Sequence, residues 1–511
     1  MRGMGRMETE EKKQNKKATL TRKGVGNTGR RIGAILLLIL SFVLSGCGKG
    51  TEEFEEDAIS PLRVPLVMKI EQRDFPMIQE AFSRLVKEKL GLAAELVFVD
   101  TNLKKNVVRM YRKEGQGFDI ISSQLIGEDM YNKGDLLPLD DLLPEYGDGI
   151  LQLYLPEELE GSREEGKIFS LPGREDTAEG TCVLMRKDLL SETGIQVEEH
   201  MSLAQVEKIW SAVAELHPEM KIVAPEGLHL SFLYRYTPWI SLAGKAIVAM
   251  DYGRSKKAEV LYETDTYQEM VSSFYRWRQK GWVPDYIGPV PSTTLVDSGE
   301  LFSYLVHDKP GIEFQEGILC GHEMVPVRLT EAFQRYDSEH SPQGWAITRD
   351  CSRTEEAMEL LNFLYTDEGV MNLLMYGLEG VHYTLDEEGK ISFLPDSGYI
   401  TGIGWALPNQ YLCYRQPGEY DDLWGEIQRN NVEAIRGAAL GFTFLSEGYE
   451  EKLENISQVI GVYADGLERG ELDPQVYLPE FLEKLKEAGI QEVLEAVEEQ
   501  YQLWLMEGEA S

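Results

Sequence analysis

The sequence predicts an α/β chain built as two lobes, closed at its C-terminus by a long helical region. Short apolar runs alternate with amphipathic helical spacing from Leu62 onward. The chain is also too long for one usual hydrophobic core, and from about Glu450 the spacing is helical throughout.

At the N-terminus, Arg30-Arg31 precedes an apolar run from Ile32 to Val43, and Leu44-Ser45-Gly46-Cys47 follows it. The run falls short of the roughly 20 apolar residues a membrane-spanning helix needs. Its length fits the apolar region of a signal peptide, and cysteine after small residues is the pattern of a bacterial lipoprotein signal. Residues 1–46 are therefore expected to be a signal peptide with a long N-terminal extension, and Cys47 the lipidated first residue of the mature chain. An uncleaved anchor is the competing reading. Residues 47–61, acidic and polar beyond the cysteine, read as a tether to the outer face of the cell membrane.

Leu62 to Val67 reads as a strand, Phe75 to Leu90 as a helix stopped by Gly91, and Ala94 to Val99 as a second strand. Phe118 to Ile121 is a third short apolar run. The pattern resumes with a strand at Thr181 to Met185, a helix at Leu203 to Leu216 and a strand at Ile222 to Ala224. Tyr267 to Lys280 and Ala357 to Tyr365 are amphipathic helices. In the C-terminal region Ile456, Val459, Ile460 and Tyr463 share one face, and Phe481, Leu485 and Ala488 another. A last helix is expected over Gln491 to Leu505.

Charge narrows the function. The segment before Cys47 holds 10 Lys+Arg and 3 Asp+Glu; subtracting these from 51 and 87 leaves 41 and 84, a formal charge near −43. Nucleic-acid binding, which depends on cations neutralising phosphates, is disfavoured. Cys182, Cys320, Cys351 and Cys413 are widely spaced with no metal-ligand pattern, so no metal or cofactor is expected. No nucleophile elbow, zinc-protease helix or phosphate loop is present, and no catalytic residues are assigned.

Several segments together resemble the extracellular solute-binding proteins of carbohydrate ABC importers. Gly117-Phe118-Asp119-Ile120-Ile121 and Gly134-Asp135-Leu136-Leu137-Pro138-Leu139-Asp140 are similar to that family's cleft strand and following turn. Gly166 to Pro172 with Val183 to Leu190 resembles its first crossover, and Gly344 to Asp350 with Glu355 to Tyr365 its return. Tyr376-Gly377-Leu378-Glu379-Gly380-Val381-His382-Tyr383, with Gly470 to Pro474 and Leu485 to Ile490, resembles the large Gram-positive lipoprotein branch.

The resemblance implies a type II periplasmic-binding-protein-like fold, hinged near Pro172–Val183 and Gln343–Ile347. Lobe 1 would comprise 62–175 plus 320–375, and lobe 2 would comprise 176–319 plus 376–511. It implies a membrane-anchored protein that captures an oligosaccharide or related sugar and delivers it to permease subunits. A surface glycan sensor or adhesion protein on the same fold is the alternative, and a lipid-anchored glycoside hydrolase a more distant one.

Sugar recognition sets flat aromatic rings against pyranose faces and polar groups against hydroxyls. Trp239 and Trp405 are the expected cleft tryptophans; Trp345 lies in the return crossover, where a structural role competes. Glu379, His382 and Tyr383 form a compact polar group that either lines the cleft or closes a turn. Asp119 is read at the carboxyl end of its strand, and Asp176, beside Glu175, near the hinge.

Overall fold

The computed structural model describes residues 60–510, apart from 69–70, 101–103, 123, 127–129, 131–133, 155–158, 160–162, 165, 226–230, 233–235, 286–289 and 335–343. Cys47 lies outside the described residues.

In the first lobe β1 (Leu62–Met68) and β2 (Ala94–Asp100) pair in parallel, from Leu62 opposite Ala94 to Met68 opposite Asp100. Helix α1 (Phe75–Leu90) joins them and buries Ile78, Phe82 and Val86, one stripe at helical spacing. Gly91 ends it at φ 75°, a left-handed conformation that other residues resist, and its amide caps the Lys87 carbonyl. Strand β3 (Ile120–Ser122) lies beside β11 (Gly344–Ile347), which also pairs with β4 (Leu171–Pro172). Helices α4 (Thr354–Thr366) and α5 (Glu368–Tyr376) add Leu360, Leu361, Leu364 and Met371 to this core.

The second lobe is built on a four-stranded sheet in the order β9–β6–β8–β7. These are β9 (Met324–Arg328), β6 (Thr181–Arg186), β8 (Leu301–His307) and β7 (Lys221–Ala224). Every residue of β6 is buried: Val183 and Met185 face one core, Cys182 and Leu184 another. A strand covered on both faces reads as an unbroken apolar run, which is why it was visible in sequence. Helices α2 (Leu203–Leu216) and α3 (Asp265–Gln279) meet through Trp210 and Trp277, edge to face at 4.9 Å. The C-terminal helices α7 (Glu450–Glu468), α8 (Pro474–Glu487) and α9 (Ile490–Ala510) bury Leu467, Phe481, Leu485, Val497 and Tyr501 in the same core.

The two cores move the expected lobe boundaries. Met324 to Arg328 pairs along β6 and Phe333 is in the second core, so the return to lobe 1 follows Gln334 instead of preceding residue 320. Tyr383, Ile391, Tyr399, Leu407 and Cys413 belong to the first core, so residues 376–413 are lobe 1 rather than lobe 2. The chain then passes to the second core once more, by way of α6 (Leu423–Glu433). Three segments thus link the lobes. Sequence motifs marked two of them; the third is a mostly polar helix that buries only Leu423 and Ile427, and no motif marked it.

Candidate functional site

The carboxyl ends of the strands in both lobes open toward the crossings. In lobe 1 the Asp119 amide donates to the Arg63 carbonyl at 3.0 Å, and the Arg63 amide donates to Asp119 Oδ2 at 2.8 Å. That pairing sets the amino ends of β1 and β3 side by side. Their carboxyl ends lie at the opposite edge, where Ser122 faces Trp345 and Gly344 faces Pro172. In lobe 2 the parallel strands β7 and β8 end where β6 begins, with His307 opposite Thr181. Crevices outside strand carboxyl ends are the usual ligand site of open α/β sheets.

The first crossing is pinned at both ends. Tyr365 donates its hydroxyl to the Leu171 carbonyl at 2.8 Å, and the Thr181 amide donates to Thr330 Oγ1 at 2.7 Å. Between these points β5 (Ala178–Glu179) pairs with β10 (Phe333–Gln334) of the second crossing. Arg174 spreads its guanidinium over Tyr154 and Tyr411, 5.0 and 5.7 Å from the ring centres.

Asp176 joins both lobes at this point. Lys309 Nζ lies 3.1 Å and His307 Nε2 3.5 Å away, at the end of β8, and Gln410 of lobe 1 donates to Oδ1 at 3.1 Å. Burial opposes its charge, yet Lys309 and His307 outweigh burial and hold the carboxyl well below the usual carboxylate range.

Trp405 stands beside the crossing. It sits on a single turn, Gly404–Ala406, just before Pro408, whose carbonyl accepts from the Arg174 amide at 2.9 Å. At 47% exposure it is the one exposed tryptophan of the chain's eight.

The other expected residues do not join it. Trp345 is 2% exposed and Trp239 5% exposed. Trp345 points into the first core from a strand held on both sides, and Trp239 leads a strand into the second core. Asp119 lies at the amino edge of β3, opposite the crossings, because its bonds to Arg63 hold it beside the amino end of β1.

The group Glu379–His382–Tyr383 closes a turn. His382 is fully buried; its Nδ1 accepts from the Leu378 amide at 2.8 Å. Its Nε2 faces Asp74 Oδ2 at 3.5 Å, and burial lowers its basicity against the pull of that carboxylate. Gly377, at φ 85°, is required here: a Cβ would stand 2.6 Å from His382 Nδ1. Tyr383 is buried among Tyr376 and Tyr414, and burial pushes its hydroxyl up to about 12. Of the three, Glu379 alone reaches solvent.

Sequence reasoning missed Gln124, two residues beyond the carboxyl end of β3, whose Oε1 is buried without a protein partner among the described residues. Applying the strand-end rule to the run Phe118–Ile121 would have found it.

Comparison with known proteins bears on this arrangement. Residues 438–506 match the family described as a domain of unknown function, DUF3502. A carbohydrate ABC transporter substrate-binding protein of Streptococcus pneumoniae serotype 4 is 21% identical over 435 residues, 83% of this chain and 87% of that protein. The crystal structure of the N-glycan transport solute-binding protein NgtS of Streptococcus pneumoniae superposes at a TM-score of 0.76 with 19% identity, covering 88% of this chain and 99% of NgtS. This chain has the two-lobed fold of the solute-binding proteins. NgtS in complex with Man5GlcNAc superposes at 0.67 with 18% identity, covering 88% of this chain and 99% of that one.

Proposed function

We propose that this protein is the substrate-binding component of an ABC importer, capturing an oligosaccharide or related sugar between its lobes and passing it to transmembrane permease subunits. The observation that supports this most is Trp405, an exposed indole beside the hinge. The fold is one whose pneumococcal counterpart NgtS has been solved with Man5GlcNAc. A flat indole against a pyranose face supplies apolar contact and orientation, and side-chain amides at the strand ends, such as Gln124, supply hydrogen bonds.

The protein binds without catalysis in this reading, since its relatives are named as binding proteins. Its sequence has no phosphate loop, so a separate ATPase supplies the energy. Cys47 carries the lipid that holds the protein at the outer face of the cell membrane, a two-chain anchor of the kind stable association requires. The variant Cys47→Ser is expected to remain a precursor with its signal attached; labelled fatty acid on that variant would overturn the assignment.

Isothermal titration of the chain from Gly48 onward against Man5GlcNAc and a panel of neutral oligosaccharides tests the function. One glycan bound per chain and recovered intact is the expected result. A shortened glycan would make the protein a hydrolase, and no heat with any member of the panel would sink the sugar reading.

A further inference from the structure

The hinge converges on one residue. Asn431 lies on α6, in the third crossing, and all four of its side-chain hydrogen-bonding positions are used. Its Oδ1 accepts from the amides of Thr177 and Ala178 in the first crossing, at 2.9 and 3.0 Å. Its Nδ2 donates to the Glu175 carbonyl at 2.8 Å and to the Tyr411 hydroxyl at 3.0 Å. The Asn431 carbonyl accepts from Gln334 Nε2 in the second crossing at 2.7 Å. Below it the second and third crossings pair directly, the Gln334 amide donating to the Ile435 carbonyl at 2.8 Å.

We propose that Asn431 is a positioning residue that sets the resting opening between the lobes, and so tunes ligand affinity without touching ligand. Lobe rotation requires backbone torsion in the crossings. Asn431 clamps residues 175–178 against α6, so bending of the first crossing is confined to positions outside that span. Other side chains do this less well. Aspartate can accept from Thr177 and Ala178 but cannot donate to Glu175, and alanine does neither. Releasing the clamp enlarges the set of lobe orientations, and apparent affinity falls by the fraction of molecules that leave the binding-competent set. This inference rests on the capture function only for its affinity arm.

The test measures lobe separation in the ligand-free protein. Spin labels go on Met77→Cys in α1 and Leu216→Cys in α2, both exposed, while Cys182, Cys320, Cys351 and Cys413 are buried and unreactive in the folded chain. Asn431→Ala is expected to broaden or shift the interlobe distance distribution and to weaken Man5GlcNAc binding about tenfold. Asn431→Asp, nearly isosteric and retaining the two accepted bonds, is expected to fall between wild type and alanine; it carries the test if the alanine variant fails to fold. An unchanged distance distribution in a folded variant overturns the proposal, even with a lower melting temperature, because a merely structural residue would move stability alone. Absence of Man5GlcNAc binding by the wild type would count against the ligand reading and leave the distance result to decide the role of Asn431.

Discussion

The second lobe buries Trp210, Trp239, Trp277 and Trp282, whereas the first lobe buries Trp345 and exposes Trp405. The contrast follows from architecture. A four-stranded sheet with apolar cores on both faces needs bulky side chains to fill them, and the C-terminal helices add a further layer over α3. The first lobe is assembled from smaller sheets joined by long connections, and one of those connections carries Trp405 along the hinge. The same residue type therefore serves packing in one lobe and display in the other, and its number in the chain says little about how many rings meet ligand.

The largest effect separating the two uses is expected from Trp277→Ala. It removes a ring held against Trp210 and Phe274 and whose Nε1 donates to Glu207 at 2.7 Å, at a cost of about 3–5 kcal/mol in stability. Melting curves should show it, with glycan affinity per folded molecule unchanged. The hinge carboxyl comes next: Asp176→Asn is expected to cost about 1.5–3 kcal/mol by weakening the bonds to Lys309 and His307. Because the folded Asp176 is held below the unfolded range, its contribution is complete above about pH 4 and is lost as pH falls through the folded value. Melting temperature against pH should accordingly lose part of its acid limb in the variant.

Trp405→Ala should reverse the pattern of Trp277→Ala, weakening glycan binding by about 1–3 kcal/mol while leaving the melting temperature nearly in place. If it melts far earlier and binds unchanged, the display role fails and the contrast between lobes disappears. The smallest effect concerns a second-lobe carboxyl shifted the opposite way from Asp176. Burial pushes Glu468 up to about 7, where it accepts from Ser231 Oγ at 2.5 Å. The unfolded chain ionises this carboxyl first, so the contribution of Glu468 to stability is complete below about pH 4.5 and is lost as pH rises to about 7. Glu468→Gln should flatten that decline, measured as melting temperature across the same interval.

Much of this molecule was legible before its structure. The strand–helix alternation of both lobes, the doubly buried run Thr181 to Met185 and the shared faces of the C-terminal helices follow from apolar spacing, which local geometry converts directly into buried stripes. The division between Trp277 on a helix face and Trp405 in a loop was readable on the same ground. Tertiary structure alone decided the rest. Alternation along a strand does not say which end meets the hinge; the bonds between Asp119 and Arg63 put Asp119 at the far edge, beside the amino end of β1. Nor does it say which crossover ring turns inward, and the neighbours of β11 buried Trp345. Asn431 was invisible because its meaning lies in partners 253 and 254 residues away, and a polar residue on a polar helix leaves no trace until folding brings those amides to it. Apolar periodicity is a local signal, written into a few turns of chain. Hydrogen-bond satisfaction at a hinge is a property of segments that meet only in the folded state.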